Sequence, residues 1–218
     1  MIFQDREHAG RLLAARLEHL RAEEPVVFGL ARGGLPVARE VSRALGAPLD
    51  LLVVRKLATP GAPECAIGAI SEAGAVFVDR ALVAELGVTD EEVADIAEQA
   101  GRELARRVRA YRGEVLPIAV AGRTVIVVDD GVATGATARA AGLAVRRWGA
   151  ARVVLAAPVI AAVSLDELRR HFDEVIAVEE PPDFLAVSWW YRRFTQVSDA
   201  EVLDCLRDAR APDAASVS

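Results

Sequence analysis

The stretch Thr124-Val-Ile-Val-Val-Asp-Asp-Gly-Val-Ala-Thr-Gly-Ala-Thr137 constrains this chain more than any other. Its first half is a near-continuous run of β-branched residues, the pattern of a central parallel strand buried on both faces. Two adjacent carboxylates, Asp129 and Asp130, close a strand expected over 124–130. A glycine-containing loop follows, and then a helix is expected over 136–148. A buried parallel strand feeding a helix calls for an α/β architecture, in which ligands bind beyond the carboxyl ends of the strands.

The rest of the chain repeats the alternation. Short apolar runs predict strands over 26–30, 49–54, 152–159 and 174–180, bounded by glycine, proline or charge. Leu12, Leu13, Leu17 and Leu20 predict an amphipathic helix over 5–22. Further helices are expected over 35–45, 90–112, 164–172 (with Ser164 as N-cap) and 198–209, where Ser198 and Glu201 form a capping box. The segments 66–70 and 75–79 read as a hairpin, and 55–66 reads as a loop because Thr59, Pro60, Gly61 and Pro63 crowd it. A single domain over 1–209 with a disordered tail over 210–218 is expected.

The chemistry lies at the end of the central strand. Adjacent side chains of a strand point to opposite faces, but a turn at its end can bring both carboxylates to one ligand. Carboxylates there suit hydroxyl groups or a hydrated Mg²⁺. The loop 131–137 offers backbone N–H groups, the hydroxyls of Thr134 and Thr137 and a helix N-terminus, all suited to phosphate. Together they describe a sugar's hydroxyls beside its phosphate. A Walker A loop is excluded because Ala136 follows Gly135 where lysine is required. The G-x-G-x-x-G dinucleotide fingerprint is absent from this turn. A phospho-acceptor receiver module shares the acidic pair but does not need the Thr-Gly-x-Thr that follows.

VIVVDDGVATGAT resembles the phosphoribosyl-pyrophosphate (PRPP) signature of the type I phosphoribosyltransferases. The resemblance implies that family's parallel sheet flanked by helices, with a small C-terminal hood at about 179–197 and a hairpin and long helix as insertions. It implies that Asp129 and Asp130 take the ribose 2′- and 3′-hydroxyls and hold Mg²⁺, directly or through water. Val132, Ala133, Thr134, Gly135, Ala136 and Thr137 would take the 5′-phosphate. A second segment, Gly29-Leu-Ala-Arg-Gly-Gly-Leu-Pro-Val-Ala38, resembles the family's pyrophosphate loop. Arg32 supplies a forked cation there, and Gly33 and Gly34 let backbone amides approach an anion. The family's non-proline cis peptide would fall between Ala31 and Arg32. Arg55 and Lys56 stand where the family places basic residues at the root of a mobile loop closing over PRPP. In the hood, Phe184 is cast as the residue stacking on an acceptor base and Leu185 as a backbone contact, with Trp189 and Trp190 as alternatives.

The chain departs from the 6-oxopurine enzymes. Ala133 stands where they carry an aspartate, and the strand 152–157 lacks their lysine. The hood points to a purine while the loop is closer to the adenine type. The resemblance therefore implies transfer from PRPP to an unidentified nucleobase-like acceptor, as in purine salvage. The alternative is a PRPP-binding regulator without catalysis.

Composition narrows the setting. The net charge of −6 argues against a protein that coats nucleic acid. The N-terminal residues carry charges every few positions and no apolar core of a signal peptide. The apolar run 153–165 is broken by Pro158 and too short to cross a membrane. Cys65 and Cys205 form no CxxC pair, and His8, His19 and His171 lack metal-ligand spacing. A soluble cytoplasmic homodimer, with no nucleic-acid or membrane partner, is expected. Against 25 arginines there is one lysine, Lys56, and it falls at the proposed lid root.

Overall fold

The computed structural model describes residues 2–59 and 62–210, leaving aside the side chains of 62–65 and 208–210. Its elements run α1 (Arg6–Leu17), a 3-10 turn (Glu18–Glu23), β1 (Val26–Leu30), α2 (Gly34–Leu45), β2 (Leu49–Leu52), β3 (Val54–Thr59), β4 (Ala62–Ser71), β5 (Val76–Val78), α3 (Arg80–Glu85) and α4 (Asp90–Arg112). The chain continues through β6 (Thr124–Val128), α5 (Ala136–Arg147), β7 (Arg152–Val159), α6 (Ala162–His171), β8 (Glu174–Glu179), a second 3-10 turn (Val187–Trp190) and α7 (Asp199–Arg210).

Five strands form one parallel sheet in the order β2-β1-β6-β7-β8. Their residues alternate between two cores. Val26, Phe28, Val125, Val127 and Leu155 pack with Ala140, Ala144 and Val145 of α5 and Leu168 of α6. Val27, Ile126, Val128, Val154 and Ala156 pack with Leu13 and Leu17 of α1 and Val37 and Val41 of α2. Both faces are covered, which is why these strands read as unbroken apolar runs. The chain leaves β1 toward one edge and returns at β6 to build toward the other. The crevice beyond β1 and β6 is thus the sheet's topological switch point. The register Gly29↔Val128 brings the loops that follow these two strands side by side.

A second, antiparallel sheet β3-β4-β5 carries the insertion. Leu57 and Ile67 pack there with Val93 and Ala100 of α4. Here the structure corrects the sequence reading: most of 55–66 is not a loop but the facing halves of β3 and β4. Irregularities between Leu57 and Thr59 shift the register, and residues 60–61 lie outside the described residues. The expected 49–54 strand accordingly ends at Leu52, and β3 starts at Val54. The helix expected over 5–22 gives way to the 3-10 turn after Leu17. α3 was not anticipated; Asp79 caps it by accepting from the Leu82 N–H. Ser164 is not an N-cap. It lies inside α6, and its hydroxyl donates to the Ala133 carbonyl at 2.5 Å. The capping box at Ser198 and Glu201 is present, as is one at Thr89 and Glu92. α7 reaches Arg210, and residues 211–218, where the tail was expected, lie outside the described residues, as do the side chains of Glu64 and Cys65. No described helix is long and apolar enough to cross a membrane.

Candidate active site at the β1–β6 crevice

β6 ends at Val128, so both aspartates sit just past it rather than in it. The Asp129 N–H still reaches the Ala156 carbonyl of β7 at 3.2 Å, and the Asp130 N–H folds back onto Asp129 Oδ1 at 2.9 Å. That turn brings the two carboxyl groups to one cavity of about 320 Å³. Burial, reinforced by the charge of Asp130, holds the Asp129 carboxyl well above the usual carboxylate range; Lys56 opposes the shift. Asp130 is also raised by burial, and Arg6 opposes that shift through both its charge and its hydrogen bonds.

The loop after the aspartates is held from behind. Ser164 Oγ takes the Ala133 carbonyl, and Arg139 Nη2 takes the Thr134 carbonyl at 3.1 Å. In a trans peptide the N–H points opposite its C=O. The N–H groups of Thr134 and Gly135 therefore point away from Ser164 and Arg139, and both residues line the cavity. Residues 136–138 open α5, and their N–H groups have no intrahelical acceptor. Gly135 adopts φ +77°, which favours glycine over any side chain. These donors and the helix N-terminus make an anion cradle. The Val132 N–H is not part of it, since it donates to the Val159 carbonyl at 2.9 Å.

The second glycine loop presses against the first. A Cβ on Gly33 would lie 2.1 Å from Asp130 Oδ2, and one on Gly34 would lie 2.5 Å from the Val128 carbonyl. The peptide between Ala31 and Arg32 is cis. Arg32 Nη1 stands 3.4 Å from Asp199 Oδ1 at the start of α7, and the same oxygen accepts the Tyr111 hydroxyl at 2.6 Å.

From the second sheet, Lys56 of β3 lines the same cavity as the aspartates and also the neighbouring groove against α4. Arg55 lines that groove and pairs with Glu103 at 3.8 Å. The hood places at the cavity a different aromatic from those expected, Phe194. Val187 and Phe194 line the cavity. Phe184 packs beside Phe3, Val159 and Tyr191, and Leu185 is largely solvent-exposed. Trp189 and Trp190 lie in a 3-10 turn, so the alternation of a strand does not apply to them.

One residue escaped sequence reasoning altogether. Arg6, at the start of α1, is buried, and its Nε and Nη2 both meet Asp130 Oδ2 at 2.8 Å. Its partner lies 124 positions away, and nothing in the sequence separates it from the other arginines.

Among the described residues no three His, Cys, Asp or Glu side chains cluster as metal ligands. The cavity offers two carboxylates, all-oxygen donors, one of them already shared with Arg6. That set fits Mg²⁺ carried with substrate phosphates and water better than a metal caged by protein alone. A cation at Asp129 would also relieve the repulsion between the two carboxylates.

A family model described as phosphoribosyl transferase domain matches residues 2–188. Two Mycobacterium tuberculosis proteins provisionally named as phosphoribosyl transferases, MT0597 and Rv0571c, are 44% identical over 202 residues. The match covers 93% of this chain and 46% of each of theirs, so the chain spans about half the length of these curated relatives. The crystal structure of TT1426 from Thermus thermophilus superposes with a TM-score of 0.78 at 41% identity, covering 95% of this chain and 99% of that one.

Proposed function

The chain belongs to the phosphoribosyl transferase domain family, and from that premise we propose that it transfers a 5-phosphoribosyl group from PRPP to a nucleobase-like acceptor, releasing pyrophosphate. The observation that carries the reading is that one cavity is lined both by an acidic pair and by a loop and helix start whose carbonyls are held from behind. We take residues 1–209 as one catalytic unit.

In this reading the amides of 134–138, with the Thr134 and Thr137 hydroxyls, hold the 5′-phosphate. Asp129 and Asp130 accept hydrogen bonds from the ribose hydroxyls. Lys56 on the cavity wall and Arg32 in the adjoining glycine loop would receive the negative charge of the departing pyrophosphate. An acceptor nitrogen forms its bond to C1′ as the bond from C1′ to the pyrophosphate oxygen breaks; the electron pair leaves with pyrophosphate and the acceptor's proton passes to solvent. Charge at C1′ develops as in glycoside chemistry, so the protein's contribution is positional and electrostatic. Mg²⁺, held by Asp129 and Asp130, would neutralise phosphate charge.

The test is pyrophosphate release from PRPP and Mg²⁺ with a panel of purines, pyrimidines and xanthine. Release with one acceptor is the expected result. PRPP binding without release from any base would leave the regulator reading, and absence of PRPP binding would overturn both.

A further inference from the structure

We propose that Arg6 is a positioning residue that makes the ribose-binding posture of Asp130 depend on the hood being seated; the proposal rests on the PRPP reading above. Each nitrogen of its guanidinium is engaged. Nε and Nη2 converge on one oxygen of Asp130, Oδ2, and Nη1 donates to the Thr195 carbonyl at 2.7 Å. Its flat face lies 4.0 Å from the centroid of the Phe194 ring. Phe194 also lines the cavity. A single side chain thus touches the carboxylate, the hood backbone and the hood aromatic on the cavity wall.

The rest of the hood is fastened to the same place. Phe3 pairs with Tyr191 in a parallel bridge, with the Phe3 N–H to the Trp190 carbonyl and the Arg192 N–H to the Phe3 carbonyl, both at 2.8 Å. Arg193 reaches Asp5, the N-cap of α1, at 2.5 Å. The Tyr191 hydroxyl donates to the Asp130 carbonyl at 2.5 Å. Asp130 is therefore gripped at its carboxylate by the N-terminal helix and at its backbone by the hood, and Arg6 links the two. A guanidinium is buried at high cost unless fully paired. That cost holds the arrangement in register only while the hood supplies Thr195 and Phe194.

The prediction separates ligands by what they touch. PRPP and ribose 5-phosphate both present ribose hydroxyls to Asp130; inorganic pyrophosphate presents none. Dissociation constants for these three probes, with Mg²⁺, are to be measured by calorimetry on the full chain and on Arg6→Gln, Arg6→Lys and Phe194→Leu. Arg6→Gln should weaken PRPP and ribose 5-phosphate at least tenfold and leave pyrophosphate within twofold. Arg6→Lys, which keeps the charge but not the fork, should fall between, and it carries the test if Arg6→Gln does not fold. Phe194→Leu should weaken the two ribose ligands two- to threefold. Unchanged ribose-ligand affinities in the Arg6 variants would overturn the proposal and leave the PRPP reading intact. An equal loss for all three probes would reduce Arg6 to a folding role and also overturn it. A wild-type chain that binds no PRPP would remove both readings.

Discussion

Two carboxylates one residue apart in a buried crevice repel each other, and the structure treats them unequally. Asp130 has Arg6 against one oxygen; Asp129 has burial and its neighbour's charge against it, relieved in part by Lys56. Replacing each by asparagine should therefore give opposite stabilities for a shared loss of activity. Asp129→Asn removes the like-charge repulsion, so its melting temperature should equal or exceed that of the wild type. Its kcat/KM for PRPP should fall about 10–100-fold, the value of a charge-assisted hydrogen bond to a hydroxyl. Asp130→Asn strands the Arg6 guanidinium and should also lose about 1–3 kcal/mol of stability in denaturant unfolding. Gly33→Ala tests the contact between the two loops. Its new methyl would sit 2.1 Å from Asp130 Oδ2, so the loop must shift, at about 1–3 kcal/mol, with PRPP affinity reduced. Asp129, Asp130 and the glycines were legible because their types and spacing state their chemistry locally. Arg6 was not, because its meaning is a contact across 124 positions.

The five parallel strands could be read from sequence because burial on both faces leaves a signature of uninterrupted apolar residues. β3 and the tip of β4 could not, because composition spoke against them. Thr59, Pro60, Gly61 and Pro63 punctuate a turn, yet Val54, Leu57 and Thr59 are buried while Arg55, Lys56 and Ala58 are not. That half-covered, irregular alternation is what a strand at the margin of a small sheet shows. The misreading has a functional side. A lysine on a strand is aimed by the sheet: Lys56 lines the cavity of the aspartates as well as the groove against α4, whereas Arg55 lines that groove and pairs with Glu103. Lys56→Ala should thus cost about a hundredfold in kcat/KM, whereas Arg55→Ala should stay within about fivefold. Since Lys56 is exposed, its replacement should change stability by no more than about 0.5 kcal/mol. Equal effects of the two alanine variants on pyrophosphate release would contradict this division of labour.

At the scale of the whole molecule, the two sheets must keep their relation if Lys56 is to line the cavity of the aspartates. A buried ionic cluster joins them. Arg112, at the end of α4, binds both oxygens of Asp50 on β2 at 2.8 Å, the Leu51 carbonyl at 2.6 Å and Glu72, in the turn after β4, at 3.3 Å. Asp50 accepts from the Ile118 N–H on the way to β6, and Glu72 from the Val53 N–H between the sheets. Arg112→Met would leave two buried carboxylates facing each other, so a loss of about 3–5 kcal/mol is expected. Glu72 gives the finer test. Burial raises its carboxyl above the ordinary value, and Asp50 adds to the rise, against the opposing pull of Arg112 and the Val53 N–H. A folded-state pKa above the unfolded one means the native state holds the proton more tightly. The contribution to stability is then complete below the ordinary glutamate pKa of about 4.3 and is lost as pH climbs through the folded value. A glutamine side chain in its place would keep an oxygen for the Val53 N–H and Arg112 while carrying no charge. Glu72→Gln should therefore melt higher than the wild type at pH 7, and the gap should close as the pH falls below about 4.3. Melting curves of both proteins across that range decide it. A gap independent of pH, or a variant less stable at pH 7, would show that the ion pair with Arg112 outweighs the burial of the charge.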